Sequence, residues 1–166
     1  MTTVPNGMPT LTGGAHSPTS GEACIMEYIS VLAGEQWSDQ PTVVNPLIAL
    51  VAREVNDYSG RHRQDLLALI PRLMATGDHQ ITPQLTEYLA NTYNVYQSPM
   101  GGVGMTVIKA LIHSGRGLEV LTGLLDEYER LTGATPATIT ATQYKVATAK
   151  VEQEFVPIIT RILAHH

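Results

Sequence analysis

Residues 16–46 read HSPTSGEACIMEYISVLAGEQWSDQPTVVNP, and this stretch decides the fold. It holds the only Cys and the only Trp of the chain, a His, and four carboxylates: Glu22, Glu27, Glu35 and Asp39. Its centre (Ala23, Cys24, Ile25, Met26, Tyr28, Ile29, Val31, Leu32) is apolar almost all round, the pattern of a helix buried on every side. Thr19-Ser20-Gly21-Glu22 fits a capping box and Gly34 fits a helix stop, so a helix is expected over about 20–33. Asn45-Pro46 sets a capping side chain ahead of a first-turn proline and opens a second helix over about 46–58.

Outward from there the helix signals continue. A third helix is expected over about 61–75, bent or divided at Pro71. Thr82-Pro83 repeats the cap-plus-proline device for a helix over about 83–97. The loop SPMGGVG leads into a short helix over about 104–113. Between about 116 and 132, Leu118, Leu121, Leu125 and Tyr128 form one stripe, with Glu119, Asp126 and Glu129 away from it. Gly133 closes that helix. Thr140-Ala141-Thr142-Gln143 is a second capping box, opening a helix over about 141–164 that Pro157 should kink. No segment alternates convincingly with period two, and no hairpin dipeptide occurs. The expected fold is all-α: a single-domain bundle of six or seven helices over residues 16–166. Residues 1–15, rich in Pro, Gly and Thr, read as a flexible N-terminal arm.

At 166 residues the chain is long enough to bury a core without disulfides or metals. Only 15% of its residues are charged, against a usual share of about a quarter, a surface suited to self-association or a protein partner. The net charge of −5 comes without the clustered Lys and Arg that nucleic acid demands, so nucleic acid is excluded as a partner. Arg61-His62-Arg63, the densest basic run, reads as a solvated turn. A single cysteine makes no internal disulfide. The N-terminus lacks the basic and apolar regions of a signal peptide, and no apolar run approaches the roughly 20 residues of a membrane span. A cytoplasmic protein with no membrane partner is the expectation.

Glu27 is the residue whose chemistry needs explaining, because a carboxylate inside a buried helix must be paired, hydrogen-bonded or protonated. Arg53, Arg72, His16 or a bound ligand could supply the partner, and a structural ion pair outweighs a catalytic role. His16, Cys24, Glu27 and Asp39 are zinc- or iron-binding types, yet their spacing fits no compact ligand motif. No metal and no cofactor is therefore expected. Cys24 reads as a small core hydrophobe rather than a nucleophile served by His16, His62, His79 or His113. Gly101-Gly102-Val103-Gly104 followed by Lys109 matches neither phosphate-loop pattern. Tyr88, Tyr93 and Tyr96 offer a stacking surface or, for Tyr88, core packing. The candidate binding residues are His16, Cys24, Glu27, Glu35, Trp37 and Asp39, with no catalytic set among them.

His16-Ser17, Gly21, Cys24, Met26-Glu27, Ala33-Gly34-Glu35, Ser38-Asp39, Pro41, Pro46 and Asn56-Asp57 together form a pattern, continued by Leu69-Ile70-Pro71-Arg72-Leu73 and Thr76. Over about residues 16–76 this resembles a family of small uncharacterised proteins of actinobacteria and their phages. The resemblance brings no activity with it. It implies a His and a Cys near Gln40 and Val43, which this chain lacks, and that departure further weakens a metal site. A phage origin implies a host protein as partner. The resulting expectation is a non-enzymatic helical interaction protein, acting on a host or self-assembly partner. The alternative is a small-molecule or nucleotide-binding protein, or a metal-dependent enzyme, with a pocket around Glu27, Asp39 and His16.

Overall fold

The structure, a computed structural model, describes residues 8–16, 21–95 and 104–151. The fold is all-α. Helix α1 (Ile25–Leu32) is buried along its whole length, as its unbroken apolar circumference requires. It packs on α2 (Pro46–Tyr58), the central helix, which also meets α4 (Thr82–Tyr93) and α6 (Gly117–Thr132). Ile48, Val51, Ala52 and Val55 form the core stripe of α2, and Val120, Leu121, Leu124, Leu125 and Tyr128 that of α6. Two short helices, α3 (Ile70–Leu73) and α5 (Met105–Leu111), connect these, and α7 (Ala141–Lys150) lies against α1. No helix among the described residues is long and apolar enough to cross a membrane.

Helix α2 and the body of α6 stand where their caps and stripes place them. Gly133 leaves α6 in the left-handed region, and the Thr140–Gln143 capping box starts α7 with both reciprocal bonds, at 3.1 and 2.9 Å. The continuation of α7 beyond residue 151, with Pro157, lies outside the described residues, as do Tyr96 and Gly101 to Val103.

Other expectations need correction. Helix α1 begins at Ile25 rather than near residue 20, because Glu22-Ala23 is held extended as strand β2, paired in parallel with β1 (Thr10–Leu11). The capping box expected for α1 is thus displaced to Cys24 and Glu27, and Thr19 and Ser20 lie outside the described residues. Residues 60–69 form a 3-10 segment instead of an α-helix. Leu66 is its only buried side chain, too little packing to hold an α-helix, whose stability in proteins comes from its buried face. Thr82 does not cap α4: its hydroxyl donates to the His79 carbonyl and accepts from Asn45 Nδ2. Finally, α5 runs into α6 through a π-helical turn over Ile112–Arg116 that Gly115 permits with φ of 95°.

Residues 8–15, the second half of the segment read as an arm, are packed. Leu11 is buried in the core, Thr10 and Thr12 donate to the Gly21 and Ala23 carbonyls at 3.0 Å, and α2 clasps the chain from outside. Asn56 Nδ2 donates to the Thr12 carbonyl at 2.9 Å, and Asp57 Oδ1 accepts from the Gly14 amide at 2.7 Å.

Candidate functional site

Helix α1 owes its start to an unusual cap. Cys24 leaves β2 with extended backbone, its Sγ accepts from the Glu27 amide at 3.4 Å, and the Glu27 carboxylate reaches back to accept from the Cys24 amide at 2.8 Å. This is the geometry of a capping box with a thiol in the place of a hydroxyl. The negative charge of Glu27 also sits in the first turn, where the helix dipole favours it.

His16 completes the clamp from the other side. Its backbone amide donates to Glu27 Oε1 at 2.9 Å and its Nδ1 stands 3.1 Å from Oε2. The carboxylate accepts from Nδ1, while Nε2 stands 2.7 Å from the Thr12 hydroxyl. Trp37 Nε1 donates to the His16 carbonyl at 2.9 Å. Glu27 is 2% exposed, and three donors occupy its two oxygens. Of the partners expected for it, His16 is the one present; Arg72 pairs instead with Asp126 and Glu129 on α6.

Four of the six candidate residues (His16, Cys24, Glu27 and Trp37) are thus brought together, and they are engaged with one another. Burial pushes the Cys24 thiol up to about 12, against a lowering pull from the Glu27 backbone bond, so it stays protonated through the neutral range. A thiol in that state is no nucleophile. Among the described residues no group of three or more His, Cys, Asp or Glu is arranged to hold a metal ion.

Glu35 and Asp39 stand apart from the clamp. The Glu35 carboxylate accepts from the Thr42 and Val43 amides at 2.8 and 3.3 Å, and its carbonyl accepts from Lys150 Nζ, so it shapes the loop over residues 39–44. The Asp39 carbonyl accepts from Arg53 Nη1 at 2.8 Å, which ties that loop to α2.

Where this loop passes α2, the surface opens. A cavity of about 340 Å³ lies between Ala15, Cys24, Asp39 and the C-terminal half of α2, with Lys109 also in its lining. A second, of about 330 Å³, lies between Pro41, Thr42, Val44 and the N-terminal half of α2, with His79 also in its lining. Leu50 and Arg53 line both, so the two adjoin and form a groove along one face of α2. That face is Pro46, Ala49, Leu50, Arg53 and Asp57, at helical steps of three and four. From Pro46 to Asp57 it runs about 16 Å at 1.5 Å per residue.

Leu50 was not among the expected site residues, and Arg53 was expected only as a partner for Glu27. The available signal was a second stripe on α2, offset from the core stripe, that carries the basic Arg53. Of the three residues around which a pocket was expected, Asp39 lines the first of these two cavities, and His16 and Glu27 line neither of the two. Compared with protein-family models, with curated proteins and with solved structures, the chain matches none of them.

Proposed function

We propose that the protein is a non-enzymatic binding protein that receives an extended segment of a protein partner in the groove along α2. The observation that carries this is the pair of cavities that share Leu50 and Arg53 along one face of α2, a face whose helical rise of about 16 Å matches the reach of about five residues of extended chain. The reactive side chains add weight from the opposite direction. Glu27, His16 and Cys24 are committed to each other, so no nucleophile and base stand ready among them. Each cavity alone also has the volume of a small-molecule site, which makes a small ligand the competing reading.

Site-specific photocrosslinking separates these readings. A benzophenone amino acid at position 50 should yield a covalent adduct with a protein, and one at exposed Leu131, which lines no part of the groove, should not. An adduct of twice the chain mass would identify the partner as a second copy. No protein adduct at position 50, or equal yield at both positions, would remove the support for a protein-binding groove.

A further inference from the structure

Building on the groove reading, we propose that the groove selects for a carboxylate: the partner segment seats an acidic side chain on Arg53 and an adjacent apolar side chain in the cavity beside Pro41, Val44, Pro46 and Ala49.

A guanidinium carries five N–H donors in a planar fork. For Arg53 one bond is made, from Nη1 to the Asp39 carbonyl, and no carboxylate among the described residues lies within ion-pairing distance. That bond holds the guanidinium at the junction of the two cavities. Its other donors are half-buried, without an acceptor among the described residues. A carboxylate matches this fork with two parallel charge-assisted bonds, which a neutral amide cannot do.

The distribution of acids gives the ligand its direction. Asp39, Glu54 and Asp57 all line the cavity towards the C-terminal end of α2. Two of them are occupied, Glu54 by Lys109 Nζ at 3.4 Å and Asp57 by the Gly14 amide. The cavity towards the N-terminal end has no acidic lining: apart from Arg53 its walls are apolar or neutral, and His79 donates from Nε2 to the Thr42 carbonyl at 3.0 Å. An incoming carboxylate therefore approaches Arg53 from the His79 side, away from Asp39. The neighbouring residue of the same segment then lies over Pro41, Val44 and Ala49. The positive end of the α2 dipole lies at this same end.

The test uses the full chain and two pools of biotinylated, C-terminally amidated hexapeptides, randomised except for a fixed Glu-Leu or Gln-Leu pair, read by biolayer interferometry. The Glu-Leu pool should bind about tenfold more tightly, the ratio expected for charge-assisted over neutral hydrogen bonds. Arg53→Met should bring the two pools level, and Arg53→Lys, which keeps the charge but not the fork, should fall between. Asp39→Asn should leave the preference intact. Circular dichroism of each variant checks the fold, and Arg53→Lys carries the test if Arg53→Met loosens the loop. Equal binding of the two pools to the wild-type chain would overturn the carboxylate preference and leave the groove reading standing. No binding of either pool would overturn both. Free hexanoate displacing the Glu-Leu pool at equal concentration would overturn a peptide occupant in favour of a small carboxylic acid.

Discussion

The Glu27 carboxylate accepts from both the backbone amide and the imidazole of His16, at 2.9 and 3.1 Å, so one buried side chain joins residue 16 to the first turn of α1. Replacing it by Gln turns one acceptor oxygen into a donor that faces N–H groups. Unpartnered buried donors cost roughly 1–3 kcal/mol each, so Glu27→Gln should lower the unfolding free energy by about 3 kcal/mol in urea titration. A catalytic or ligand-binding carboxylate would behave otherwise, since substitution at such sites commonly stabilises the fold. Unchanged or raised stability would contradict a clamp.

Cys24 offers a second check through its thiol. With that thiol pushed up to about 12 by burial, native protein at pH 8 should resist a disulfide reagent such as dithionitrobenzoate and react fully in urea. The linkage has a definite sign. Above the ordinary thiol value of 9.0 the unfolded chain ionises while the folded one does not, so this contribution to stability is present below pH 9 and is lost as pH rises towards 12. Rapid labelling of the native protein at pH 8 would contradict this.

Tyr28 is 1% exposed and its hydroxyl has no hydrogen-bond partner among the described residues. Desolvation of that group already costs the folded state, so Tyr28→Phe should leave stability unchanged or raise it by about 1 kcal/mol. A loss of stability on thermal unfolding would reveal a partner for the hydroxyl.

Asn45 has the opposite character. Its Oδ1 caps α2 by accepting from the Leu47 and Ile48 amides, while Nδ2 donates to the Asp78 carbonyl and Thr82 Oγ1. Asn45→Ala removes a helix cap worth about 1 kcal/mol and strands buried polar groups besides, for a loss of about 2–3 kcal/mol. Hydrogen exchange should quicken first at Leu47 and Ile48. A variant as stable as the wild type would contradict this role.

How far the sequence could be read depended on whether the deciding contacts were local. Asn45-Pro46 announced α2, and Thr140 with Gln143 announced α7, because a cap is a matter of three or four adjacent residues. Glu27 was legible as a residue in need of a partner. Its position in a capping box was not, since Cys24 is no usual cap and Thr19-Ser20-Gly21-Glu22 offered a more familiar one. The two-residue strand pair escaped for a related reason: Thr10 and Glu22 pair across a loop, and neither segment is long enough to show alternation. The groove was out of reach altogether. It exists because Glu35 shapes the 39–44 loop and Arg53 holds it against α2, contacts that no periodicity records.

The central claim is that binding falls on the outer face of α2 and not on the His16–Glu27 clamp. The most direct measurement is paramagnetic relaxation in ¹⁵N-labelled protein titrated with a nitroxide-tagged Glu-Leu hexapeptide. Broadening should be strongest at the amides of Thr42, Ala49, Leu50 and Arg53, with those of Thr132 and Gly133 unaffected. Broadening spread evenly over the protein, or centred outside the α2 groove, would contradict the account.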